Sequence, residues 1–183
     1  MTPPPVVAVD VAAHRAAWLT ALRSGDYAQA RGALRIGSGF CCLGVAEDVR
    51  GATWYALDTD ERTSVDHVGT HAVQLGDDCD GVAFTEGTQL TAAGVAWLGL
   101  AAPSPFVVVR VAAEDFDDDF DTDLDYDCEE QPVRWRARTL AELNDGGWSF
   151  AEVADAVADQ PADWTGGQNQ ARDLAAARNA EAS

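Results

Sequence analysis

The chain contains no lysine. All 12 of its basic residues are arginine, set against 31 Asp and Glu, for a formal charge of -19. A surface this short of cations repels phosphate backbones, which excludes nucleic-acid binding through a basic face. Isoleucine and asparagine are also scarce, while Ala, Gly, Val, Asp and Arg dominate. That is the composition a GC-rich genome produces. Excess aspartate also keeps a surface hydrated when salt shortens the screening length to roughly 3 Å at 1 M, so a salt-loving host is a second source of the same bias. No apolar run approaches the roughly 18 residues of a membrane span. The opening Met1-Thr2-Pro3-Pro4-Pro5-Val6-Val7 lacks the charged region and apolar core of a secretory signal, so a cytoplasmic protein is expected. The 4 cysteines, Cys41, Cys42, Cys79 and Cys128, include no CxxC pair, and adjacent Cys41 and Cys42 are poorly placed to bridge. Reduced, buried thiols are expected. There is no GxSxG, no Walker loop and no GxGxxG feeding a helix, and no histidine can be placed beside Cys41 or Cys42 as its base.

What is present reads as one α+β domain. The 183 residues are enough to hide roughly two-thirds of the unfolded surface. A flexible Pro-rich lead over 1–9 precedes Asp10, which can cap a helix with Val11, Trp18, Leu19 and Leu22 on one side and Gly25 as its stop. Two short strands, Ala33 to Ile36 and Phe40 to Cys42, flank a glycine turn, and a short helix from Leu43 to Val49 ends at Gly51. The stretch from Thr53 to Thr88 is loop-rich, with Ala72 to Leu75 as a strand candidate. Thr91 can cap a further helix, stapled by Leu90 on Val95 and closed by Gly99. The nearly continuous Phe106 to Val111 predicts a buried, central strand.

The acidic insert 114–130 predicts a solvated loop. Near the end, Thr139-Leu140-Ala141-Glu142 and Ser149-Phe150-Ala151-Glu152 are two capping boxes around the turn Asn144-Asp145-Gly146-Gly147, which predicts an αα-hairpin. The domain is expected to run over 10–164. A tail over 165–183, with little to bury, is expected to be a frayed helix or disordered. The architecture predicted is a small, mainly antiparallel sheet packed by several helices.

Four blocks occur in order: Ala21-Leu22-Arg23-Ser24-Gly25-Asp26-Tyr27-Ala28-Gln29, then Phe40-Cys41-Cys42-Leu43-Gly44-Val45, then Trp97-Leu98-Gly99-Leu100, then Leu143-Asn144-Asp145-Gly146-Gly147-Trp148-Ser149-Phe150-Ala151-Glu152-Val153-Ala154-Asp155. Over roughly Trp18 to Ala158 the chain resembles an uncharacterised family of small proteins common in tailed phages and prophages. The resemblance departs at the acidic insert and in the missing lysine. It implies a viral accessory role and carries no chemistry.

Three constellations bear on function. Asp119, Asp121, Asp123, Asp125, Asp127 and Glu130 have the spacing of a calcium loop, but Leu124 stands where the sharp turn wants glycine, so a solvated acidic loop is the reading preferred. His67 and His71 are spaced for chelation on a helix, with Asp77 and Cys79 downstream, yet Gly69 weakens such a helix and polar surface is the better account. Arg23, Tyr27, Gln29, Asn144, Asp145 and Trp148, drawn from the resembling blocks, are the residues expected to line a site for a polar ligand such as a nucleotide, set against plain turn-making and core packing. The leading expectation is a non-enzymatic viral accessory protein, without cofactor, that binds a host protein or a small polar ligand. One alternative is an acidic nucleic-acid mimic that blocks a host DNA-binding enzyme. Another is a metal-dependent hydrolase built on His67 and His71.

Overall fold

The computed structural model describes residues 10–56, 71–73, 89–111 and 134–182, and of residues 55, 56 and 71–73 only the backbone. The lead 1–9, the acidic insert 114–130 with its calcium-like spacing, and His67, Asp77, Cys79 and Cys128 lie outside the described residues.

The first helix, α1 (Val11–Ser24), starts where Asp10 accepts the Ala13 amide at 3.0 Å and stops at Gly25, whose φ of 79° is the left-handed conformation that favours glycine. It buries Trp18 and Leu22, and the Trp18 indole donates to the Cys42 carbonyl at 2.9 Å. Three short strands follow: β1 (Ala28–Gln29), β2 (Arg35–Ile36) and β3 (Gly39–Phe40). They form one sheet in which β3 is central, antiparallel to β2 across the glycine turn and parallel to β1. The hairpin is the one expected, shorter at both ends. Cys41, taken as strand from the sequence, instead caps α2 (Cys42–Val49) by accepting the Gly44 amide on its sulfur. Gly44 is required there because a Cβ would run into the Leu34 carbonyl.

A second ribbon pairs β4 (Trp54–Ala56) with β5 (His71–Val73), antiparallel. His71 therefore opens a strand and does not stand on the helix that chelation at its spacing from His67 requires. Helix α3 (Ala92–Leu98) has the Thr91 cap and the Gly99 stop predicted for it. The strand β6 (Phe106–Val111) pairs with β7 (Arg134–Thr139), which runs directly into α4 (Leu140–Asp145) and α5 (Phe150–Ala158). Both capping boxes form, so the αα-hairpin stands as read.

The expectation that Phe106 to Val111 sits centrally in a sheet is corrected: among the described residues its strand partner is β7 alone. Helices cover it. Val107, Val109 and Val111 join the main core, while Val108 joins a smaller cluster with Ala171 and Ala175. The latter two come from α6 (Gln168–Glu181). The expectation of a frayed or disordered tail is therefore also corrected. A helix poor in large apolar residues packs here because alanine lets it approach the ribbon closely, with Phe106, Trp135, Ala137 and Leu174 around it.

The open edges of the β6–β7 ribbon are closed by side-chain amides, each presenting a donor and an acceptor as a neighbouring strand would. Gln160 donates to the Val108 carbonyl and accepts its amide, both at 3.1 Å. Asn179 does the same for Trp135 on β7, at 2.9 and 2.8 Å. The Phe106 amide and carbonyl are met by the Gly166 carbonyl and the Trp164 indole. The whole is α+β, with three small, mostly antiparallel sheets among the described residues and helices packed against them. No described helix is long and apolar enough to cross a membrane.

Candidate functional site

Asn144 is fully buried and uses every hydrogen-bonding position it has. Its Oδ1 accepts from the Gln29 amide at 3.0 Å and from the Cys42 backbone at 3.3 Å. Its Nδ2 donates to the Ala30 carbonyl at 2.8 Å and to Asp145 Oδ1 at 3.1 Å. Gln29 also donates to the Trp148 carbonyl at 2.7 Å, and Asp145 Oδ1 accepts the Gly32 amide at 3.0 Å. Gln29, Asn144, Asp145 and the Trp148 backbone thus lie together, joining the segment after α1 to the turn between α4 and α5. Arg23 and Tyr27 do not join them. Arg23 pairs with Asp155 of α5 at 2.6 Å, and both are largely exposed. Tyr27 donates to Asp48 Oδ2 at 2.8 Å.

The two adjacent cysteines sit under this network, buried and free. The Cys42 sulfur lies 3.4 Å from the Leu140 carbonyl, which competes with the Cys41 sulfur for its single S–H proton. A hydrogen bond from the Cys42 thiol, opposed by burial, holds Cys41 below the ordinary thiol range, and the same bond together with burial pushes Cys42 well above it. Neither sulfur reaches solvent as an attacking thiolate must.

A second buried polar group was not singled out from the sequence. Glu47 is 0% exposed, and four donors meet it: the Thr91 amide at 2.8 Å and hydroxyl at 2.9 Å on Oε1, and Arg50 Nε at 3.0 Å and Nη2 at 2.6 Å on Oε2. It fastens α2 to the start of α3, and a Cβ on Gly94 would collide with Oε1. The Glu47–Arg50 spacing is a helical pairing the sequence could have offered, but the Thr91 partner is 44 residues away.

The third cluster is aromatic, with Phe40 buried and Tyr27, Arg35, Asp48 and Trp54 half-buried. Phe40 packs edge-to-face with Tyr27 at 5.2 Å and with Trp54 at 5.7 Å between ring centroids. Asp48 joins the outer two rings by accepting the Tyr27 hydroxyl and, at 2.9 Å, the Trp54 indole N–H. Burial, then the bond to Asp48 and its charge, push the Tyr27 phenol up to about 12. The Arg35 guanidinium lies over the Phe40 ring at 4.9 Å and the Trp54 ring at 5.5 Å. Among these residues only Tyr27 is a candidate site residue on the sequence alone; Phe40 figures there as strand. The signal available was the strand register, which sets Arg35 opposite Phe40.

Among the described residues, no group of three or more His, Cys, Asp or Glu is placed to hold a metal ion. The folded chain is thus an α+β scaffold in which the buried polar side chains fasten one element to another. It belongs to the family of the domain of unknown function DUF8296, whose model matches residues 12–161 and so ends before α6. Comparison with curated proteins and with solved structures finds no match.

Proposed function

We propose that the chain is a non-catalytic binding protein, a viral accessory factor that acts inside the cell by engaging a host protein through its carboxylate-rich surface. The observation that carries this reading is the use of Gln29, Asn144 and Asp145. A polar ligand seated on them would have to break the bonds that join two parts of the fold. That weights recognition toward exposed carboxylates, in a chain whose formal charge is -19. Exposed Glu152 in the first turn of α5 adds to that field, while Asp155 and Asp159 are paired with Arg23 and Arg178; a net negative field accelerates encounter with a basic partner. The viral setting rests on the resemblance of the four sequence blocks, and membership of an uncharacterised family is consistent with it. Where the partner is a DNA-binding enzyme, the acidic chain acts as a mimic of its substrate.

Affinity isolation from a host lysate at native salt, repeated at rising salt, tests this. The reading expects one stoichiometric protein with a basic face, released as salt screens the charges and displaced by DNA if the mimic holds. A small molecule bound stoichiometrically to the chain alone would overturn it.

A further inference from the structure

We propose that Tyr27, Phe40, Trp54 and Asp48 form a recognition site for a guanidinium group, and that Arg35 of the same chain occupies it in this structure. The three rings come from separate segments: Tyr27 ahead of β1, Phe40 from β3 and Trp54 from β4. Ring faces attract a cation through their quadrupoles, and a nearby carboxylate adds a full negative charge. Asp48 braces the receptor, its two oxygens holding the outer rings through neutral donors, and sets its charge at the edge of the ring cluster and not in an ion pair with Arg35.

None of these ring–ring and ring–carboxylate contacts passes through Arg35. The receptor therefore persists when that side chain leaves. Arg35 itself is half-buried, sits in a two-residue strand beside the Gly37 turn, and donates its Nε to the Gly37 carbonyl at 3.0 Å. Rotation about its side-chain bonds frees the ring faces without disturbing the pairing of β2 with β3. The seated group identifies the ligand: a guanidinium is planar, weakly hydrated and suited to stacking, which separates it from an ammonium ion. Its source is either an arginine of a binding partner or a small guanidinium compound. The inference stands on the geometry of the site and does not require the host-protein reading above.

The test is titration of purified Arg35→Ala with methylguanidinium chloride at constant ionic strength, following the Trp54 indole N–H resonance, assigned through Trp54→Phe. Occupancy by Arg35 lowers the apparent affinity of the intact chain by the fraction of time the site is free. The variant is therefore expected to show a saturable shift at a concentration roughly tenfold lower than the wild type needs. That response is lost when Asp48→Asn is added, and sodium or trimethylammonium at equal strength does not reproduce it. A parallel titration with N-acetylarginine amide distinguishes the sources: tighter binding than methylguanidinium points to a protein arginine, equal binding to the head group alone. Folded Arg35→Ala with no saturable shift, or with the wild-type response, overturns the proposal. Arg35→Gln, which keeps an amide donor for Gly37, is run alongside. Loss of folding in both variants overturns it too, by making Arg35 part of the framework.

Discussion

Replacing Glu47 by glutamine tests the physical account where its stakes are highest. The carboxylate has no exposed surface and four neighbours, all donating. The amide of glutamine must point its N–H groups at either Thr91 or Arg50. Facing Thr91, it meets a backbone N–H and a hydroxyl that already accepts the Gly94 amide at 3.0 Å. Facing Arg50, it sets N–H against a guanidinium. Either way Arg50 loses its counter-charge. Breaking a buried ion pair from one side costs about 3–5 kcal/mol. The Arg50 side chain is 19% exposed, so water softens its loss and the lower end, about 3 kcal/mol, is expected. Against a total stability of about 5–15 kcal/mol this is a large fraction. In urea denaturation followed by circular dichroism, with an unchanged slope of roughly 2 kcal/mol per molar, the midpoint falls by about 1–2 M. A second variant, Arg50→Met, combined with Glu47→Gln, costs less than the two single changes added, because the pair acts as a unit. A midpoint shift below about 0.3 M for Glu47→Gln would refute the reasoning.

Other consequences follow from the same contacts. Asn144→Ala strands the Cys42 N–H and the Ala30 carbonyl and leaves the Gln29 amide only its bond to the Trp148 carbonyl, and a cost of about 2–4 kcal/mol in the same denaturation assay is expected. For Tyr27 the folded state favours the neutral phenol, so its stabilising contribution is complete below pH 10 and is lost as pH rises through about 12. A late phenolate step in the ultraviolet titration should vanish in Tyr27→Phe. In Asp48→Asn it should move down but stay above the ordinary value, since burial is the larger cause. Asn179→Ala exposes the Trp135 edge, at a cost of about 1–2 kcal/mol, with faster hydrogen exchange in α6. Paired with Gln160→Ala, it should shift light scattering toward self-association.

What was legible in the sequence was local. Asp10, Thr91, Thr139 and Ser149 each sit within a few residues of the amides they cap, and Gly25 and Gly99 mark stops by the conformation they adopt, so the helices could be bounded directly. Two elements are missed for a common reason. The strand Arg134–Thr139 is not among those read from the sequence, since its arginines at every second position give no apolar face until its register sets Arg136 and Arg138 opposite Val109 and Val107. Helix α6 looks too polar to pack, because alanine marks a close approach only when the facing strand is known. The polar network of the candidate site was half visible. Gln29, Asn144 and Asp145 were grouped from their blocks and do meet, whereas Arg23 and Tyr27 turn to Asp155 and Asp48. Burial of Glu47 and the stacking of Arg35 depend on partners brought in by the fold.

The measurement that bears most directly on the central claim, that the chain works by binding a protein through its acidic surface, is the isolation of the tagged chain from its host at native salt with intact-complex mass spectrometry. The account predicts a stoichiometric protein with a basic face whose release tracks rising salt. A chain carrying a bound small molecule and no protein, or a partner held undiminished at high salt, would contradict it.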